Sequence, residues 1–257
     1  MIFISEEEIE ERLDLTELLT VMESALIDLS AGRAIQPVRT ALAVPGQNAW
    51  FGVMPTIYRD VLGAKLVSVY PRNSERNLPT HQALIQLFDR ETGEPLAVIG
   101  GRTITAWRTA AVSALATREL ARADTKVLAI LGSGVQARTH VKMLRMVRAF
   151  QQVCVWSRNP EHAERFANEC EADVMSAEQA VSVADVIVTV THGSEPVLKG
   201  EWIRDGAHIN AVGAVGLYAR ELDSSAFQDS AVVVESVERR CENRAISSAA
   251  ACKSMAN

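Results

Sequence analysis

Several features that would narrow this chain's role at once are scarce or missing. Aromatic residues make up 5% of the 257 positions, and the four cysteines, Cys154, Cys170, Cys241 and Cys252, are too widely spaced for a C-x-x-C metal or redox motif. The reading is therefore no metal site and four free thiols in a reducing compartment. No basic run occurs either. With 26 Lys and Arg against 32 Asp and Glu, the net charge is −6 and the cations are scattered, which disfavours nucleic acid as a partner. The sustained apolar stretches, such as 127–131 and 186–190, fall far short of the roughly 20 residues that span a bilayer. The acidic start (Glu6, Glu7, Glu8, Glu10, Glu11) is unlike a secretory leader. The expectation is a cytoplasmic protein with no membrane partner. What is present is an ordinary globular balance, 48% apolar and 23% charged, which excludes disorder and suits one or two domains.

Periodicity divides the chain into two dissimilar parts. Over 1–123 the order is mixed: an amphipathic helix at 13–31, strand-like segments at 38–44, 50–54, 63–70 and 82–88, a turn at Asp89 to Gly93, a strand at 95–99 and an Ala-rich helix at 104–121. Over 124–236 short apolar runs alternate with helical segments, the pattern of βαβ units in a parallel sheet. Strands are predicted at 126–131, 153–157, near Val174, at 186–190, 208–212 and 232–234. Helices are predicted at 135–149 and 160–170, the latter opened by Asn159 as N-cap and Pro160 in its first turn. The fold class is thus α/β: a Rossmann-type parallel-sheet dinucleotide domain beside an α+β domain.

Gly132-Ser133-Gly134-Val135-Gln136-Ala137 follows the first of these strands and opens a helix, matching G-x-G-x-x-A in the right context. The first glycine permits the turn, the second lets a diphosphate approach the backbone, and the helix N-terminus faces the anion. The end of the next strand selects the dinucleotide. An NAD site usually carries Asp or Glu there, whereas this chain has Ser157, Arg158 and Asn159. Arg158 suits a 2′-phosphate, so NADP(H) is preferred over NAD(H). Thr191, just after the strand at 186–190, is assigned to the same cofactor.

In the first part three cations stand in unusual company: Arg39 in Gln36-Pro37-Val38-Arg39-Thr40, Lys65 in Ala64-Lys65-Leu66-Val67, and Arg108 in Arg108-Thr109-Ala110-Ala111. Spacing alone would turn each to solvent. Together with Gly52-Val53-Met54-Pro55, Leu78-Pro79-Thr80-His81-Gln82-Ala83 and Ile209-Asn210-Ala211-Val212-Gly213-Ala214, these phrases resemble the ornithine cyclodeaminase and mu-crystallin family. The resemblance implies a substrate domain that also forms a homodimer, a Rossmann domain and an active site in the cleft between them. It puts the substrate's carboxylate on Arg39, Lys65 and Arg108, with Thr80 and His81 nearby.

Cyclodeaminases of the family carry an acidic residue after the glycine of the fifth Rossmann strand; here Ala214 follows Gly213. The chain is therefore closer to the mu-crystallin-like, ketimine reductase branch, which implies hydride transfer from NADPH to C2 of a cyclic imino acid. Lys65, Arg108 and His81 are the catalytic candidates. Lys65 is read mainly as part of the clamp and secondarily as a proton donor; His81 is a further donor candidate; His140 is read as structural. The family resemblance leaves a thyroid-hormone carrier and an amino-acid dehydrogenase as alternatives. The matching phrases end near Glu235, and 237–257 reads as a divergent, poorly ordered tail, from which low stability of the isolated chain is expected.

Overall fold

Ser5 and Glu8 open the chain's first helix reciprocally: the Glu8 amide donates to the Ser5 hydroxyl and the Ser5 amide to the Glu8 carboxylate. Amides that helix geometry leaves without partners are thereby satisfied. In this structure, a computed structural model that describes residues 1–193, 195–214 and 219–235, that helix is α1 (Glu6–Arg12), preceded by strand β1 (Ile2–Ile4). Periodicity predicts neither, because α1 buries only Ile9 and β1 is too short and exposed to alternate. Helix α2 (Leu15–Ser30) starts from Asp14, whose carboxylate accepts from the Thr16 and Glu17 amides.

By internal contacts the chain divides into residues 1–108 and 109–257. The first unit is built on a sheet of seven strands. Beside β1 these are β2 (Ala34–Ile35), β3 (Thr40–Val44), β4 (Ala49–Tyr58), β5 (Val61–Val69), β6 (His81–Asp89) and β7 (Pro95–Gly100). Their order is β1-β7-β6-β5-β4-β2, with β3 also on β4; β1 alone runs parallel to its neighbour. The predicted turn at Asp89 forms, with the Asp89 carboxylate accepting from the Glu91 and Thr92 amides and Gly93 at φ 73°. Asp28 of α2 accepts from the Tyr58 hydroxyl and from Arg33 and Arg59, which ties the helix to the end of the β4–β5 hairpin. One sheet face carries Phe3, Leu42, Phe51 and Leu84, all exposed.

Helix α3 (Arg102–Leu120) crosses the division. The sequence pattern changes at 123/124, but the contacts change earlier because the helix's second half is bonded into the second unit. The Asn210 amide donates to Thr117, and Arg148 donates to the carbonyls of Thr117 and Arg118.

The second unit follows the predicted alternation: β8 (Val127–Leu131), α4 (Val135–Val147), β9 (Gln152–Trp156), α5 (Pro160–Cys170), β10 (Asp173–Val174), α6 (Ala177–Val183), β11 (Val186–Thr189) and β12 (His208–Ala211). All five strands are parallel, in the order β10-β9-β8-β11-β12, the Rossmann arrangement with its switch point between β8 and β11. Leu128, Ile130, Leu131, Val155, Ile187 and Val188 are fully buried, as strands covered on both faces require. The strand expected at 232–234 is absent: among the described residues the sheet ends at β12, and Val232 and Val233 are exposed. The tail expected at 237–257, with Cys241 and Cys252, lies outside the described residues.

Candidate active site

Lys65 sits mid-strand in β5, paired with Met54 and Ile85 across the sheet. Its ammonium does not reach free solvent as spacing suggested. Instead it is partly buried and donates to the Thr105 hydroxyl of α3 at 3.2 Å, while Thr105 donates to the Gly101 carbonyl at 2.5 Å. Burial, then the charges of Arg108 and Arg39, push the Lys65 ammonium down to about 7. The three cations that lie far apart in sequence therefore meet within the first unit, delivered by a coil before β3, by β5 and by the first half of α3. None of the three is fully exposed.

His81 begins β6, opposite Val69. Burial first, then Lys65 and Arg108, lower its imidazole to about 4. A value this low favours the neutral ring near pH 7. The neighbouring Thr80 is exposed, and its carbonyl accepts from the Tyr70 amide at 2.8 Å. Positive charge from Arg108 and Arg39 beside Lys65, and from Lys65 and Arg108 beside His81, adds to burial in lowering both groups.

Glu6 holds this arrangement from below. Its carboxylate accepts from the Arg102 and Thr103 amides at 2.8 Å each, capping the helix that carries Thr105 and Arg108. Gly100 leaves room for it, since a β-carbon there would lie 2.8 Å from the Glu6 carboxyl carbon. Neither Glu6 nor Thr105 stands out in the sequence: Glu6 is one of a run of acids, and Thr105 one of several helical threonines.

In the second unit the glycine loop has the shape a diphosphate needs. Gly132 takes φ 122°, and a β-carbon there would meet the Val190 carbonyl oxygen at 2.7 Å. Gly134 faces open space, and the start of α4 that it caps receives no side-chain cap. The Arg138 guanidinium donates to the Ser133 carbonyl at 2.5 Å and to the Gly134 carbonyl at 3.2 Å, and to Glu169 at 2.5 Å. Loop carbonyls are thus held on one side, which leaves amides for an anion on the other. Val135 is exposed beside the loop, and the Gln136 side-chain oxygen is buried without a hydrogen-bond partner.

After β9, Ser157 meets the Ser133 hydroxyl at 2.8 Å. The Asn159 side-chain oxygen caps α5 by accepting from the Glu161 amide, as predicted, and Arg158 is exposed. His140 is buried between the Gln136 carbonyl (2.7 Å) and the Ser113 hydroxyl (3.0 Å), a structural setting. Thr191 and Gly213, which follow β11 and β12, both donate to the buried carboxylate of Glu221. Sequence reading passes over Glu221, because Arg220-Glu221-Leu222-Asp223 looks like a solvated charged segment. No group of three or more metal-ligating side chains occurs, and no helix is long and apolar enough to cross a membrane, among the described residues.

The sequence model of the ornithine cyclodeaminase/mu-crystallin family matches residues 1–251, so the similarity continues past Glu235, where the recognisable phrases end. The ketimine reductase mu-crystallin of Mus musculus is 44% identical over 245 residues, 92% of this chain and 78% of that protein. Among solved structures, the Delta(1)-pyrroline-2-carboxylate reductase of Thermococcus litoralis, in complex with NADH and L-proline, is 39% identical with a TM-score of 0.83, over 88% of this chain and 72% of that one. An archaeal alanine dehydrogenase dimer with bound NAD is 33% identical with a TM-score of 0.91, over 96% of this chain and 79% of that one.

Proposed function

Because the chain belongs to the ornithine cyclodeaminase/mu-crystallin family, we propose that it is a nicotinamide-dependent oxidoreductase that reduces the C=N bond of a cyclic ketimine, a five- or six-membered imino acid, with NADPH as the preferred donor. The observation that carries this reading is the meeting of Arg39, Lys65 and Arg108 in the first unit. A small carboxylate is the natural complement of that cluster. Two relatives support the reaction type by name: one is a ketimine reductase, the other a reductase crystallised with L-proline.

The dinucleotide supplies a hydride when bound; the loop 132–136, Ser157, Arg158, Asn159 and Thr191 are the residues assigned to hold it. The chain's own groups do the rest. Arg39 and Arg108 grip the planar carboxylate, which fixes one face of the ring toward the donor, and orientation of this kind is a large part of catalysis. Thr80 and His81 border the clamp, His81 as a neutral hydrogen-bonding group. Reduction adds hydride to C2 while the C=N electron pair moves to nitrogen, which takes one proton. Lys65, at about 7, both pairs with the carboxylate and can give that proton near neutrality.

NADPH preference rests on the lack of a carboxylate after β9 and on Arg158. The two solved relatives carry NADH and NAD, so the test is a direct comparison of the two donors. Steady oxidation of NADPH, faster than of NADH, with pyrroline- or piperideine-2-carboxylate is the expected result. Turnover only with a keto acid and ammonia would make the chain an amino-acid dehydrogenase, and tight capture of an iodothyronine with no turnover would make it a carrier.

The exposed apolar face of Phe3, Leu42, Phe51 and Leu84 is assigned to a second copy of the chain, in a cytoplasmic homodimer. A dimeric relative supports it. Phe51→Glu should give a monomer in sedimentation velocity; an unchanged dimer would move the interface elsewhere.

A further inference from the structure

The second unit buries a carboxylate that neither the glycine fingerprint nor the cation clamp accounts for. Glu221 is 1% exposed. Its Oε1 accepts from the Thr191 amide at 2.6 Å and the Thr191 hydroxyl at 2.7 Å; its Oε2 accepts from the Gly213 amide at 2.6 Å and the Thr189 hydroxyl at 2.8 Å. Among the described residues no basic side chain pairs with it. Four donors around one carboxylate offset its desolvation, and each is a group whose position is fixed in return.

Those groups lie where a Rossmann sheet binds its ligand. Thr191 follows β11 and Gly213 follows β12, both at carboxyl ends of parallel strands. Gly132, the turn glycine of the diphosphate loop, packs on Val190, the residue before Thr191. Gly213 is required for the same closeness: a β-carbon there would lie 2.6 Å from Glu221 Oε1 and collide with the Thr191 carbonyl. The backbone of the Glu221 segment is locked as well, since its carbonyl accepts from the Val197 and Leu198 amides at 2.8 and 2.9 Å, and the Arg220 amide donates to Gly193.

A dinucleotide lies across the switch point with one mononucleotide on each half of the sheet. Ser157 and Arg158 follow β9, on the adenosine side, so the β11 and β12 ends belong to the nicotinamide side. We propose that Glu221 is a positioning residue for the nicotinamide half of the cofactor: by fixing Thr191 and Gly213 beside the diphosphate loop it sets the wall against which the reacting ring rests. This deepens the dinucleotide reading above and rests on it; it does not rest on the identity of the imino acid.

Glu221→Gln keeps the size but turns an amide NH2 toward at least one N–H donor, so Thr191 or Gly213 must shift. The test titrates wild type and variant with NADPH and with 2′-phospho-ADP-ribose, which lacks the nicotinamide, and records the fluorescence of the bound dihydronicotinamide. NADPH affinity is expected to fall about tenfold and the fluorescence enhancement to be lost, with the ADP-ribose fragment bound within about twofold of wild type. Equal losses for both ligands, or no loss for either, would overturn the proposal, since a general loosening of the fold does not discriminate between them. Should Glu221→Gln fail to fold, Thr191→Val, which removes one hydroxyl donor and keeps the amide, should show the same selective loss at about threefold. A wild-type chain that binds no dinucleotide would end both this proposal and the cofactor reading. Binding without turnover of any cyclic imine would end only the imine reading.

Discussion

The two units treat buried polarity in opposite ways. In the second, the buried carboxylates and His140 meet complements from the chain itself: Glu221 has four donors, His140 two partners, and Asp185 the amides of Lys126 and Val127 together with Arg122 and Arg204. In the first, Lys65 and His81 are both pushed toward their neutral forms, by burial first and then by neighbouring positive charge. The first unit gathers cations, whereas the second sets its buried carboxylates among donors.

The largest effect should follow from breaking the clamp. Arg108→Ala is expected to lower kcat/KM for the cyclic imino acid about 10³-fold while dinucleotide affinity in a direct titration stays near wild type. Parallel loss of both would erase the contrast between a substrate unit and a cofactor unit.

Next comes the self-complementary side. Burial alone would raise Asp185, but the Lys126 and Val127 amides and the charges of Arg204 and Arg122 outweigh it and hold the carboxyl below its usual range. Its contribution to stability is therefore present above the unfolded value and lost as pH falls through the folded one. Asp185→Ala should cost about 3 kcal/mol in denaturant unfolding. It should leave KM for the imino acid unchanged.

Arg158→Ala sharpens the comparison within the second unit, as its side chain is exposed, unlike the residues of β9 before it. NADPH affinity should drop about 30-fold, the worth of a charge-assisted contact, with NADH affinity within about twofold. Equal weakening of the two would show that the 2′-phosphate is not its partner.

The smallest effect is the pH response of the clamp. Lys65 is charged below about 7 and loses its proton above that value. Anion affinity should therefore weaken as pH rises above 7, with KM for the carboxylate climbing by about tenfold in all and levelling off once pH passes the higher value that the bound anion gives the ammonium. Lys65→Met should flatten that slope.

Legibility in the sequence follows the same divide. The strands and helices from Val127 to Cys170 are readable because a parallel sheet buried on both faces leaves continuous apolar runs between amphipathic helices. Helix α6 escapes the pattern although Ser176 and Gln179 form a capping box, since Ala177–Val183 is too short for periodicity to register. In the first unit β3 to β7 are visible, but nothing in the spacing of Arg39, Lys65 and Arg108 says that a coil, a strand and a helix will bring them together. Only resemblance to a family did. Charge–charge proximity is a tertiary property, and Glu221, a lone acid in a polar segment, illustrates the same limit.

Glu6 reaches across to Arg102 and Thr103, and β1 pairs with β7, so the opening residues are latched onto partners near position 100. During synthesis, Glu6 and β1 must wait for nearly the whole unit to follow before they can dock. Such long-range closure makes folding slow, and until the latch shuts, the edge of β7 stays open to strands of neighbouring nascent chains.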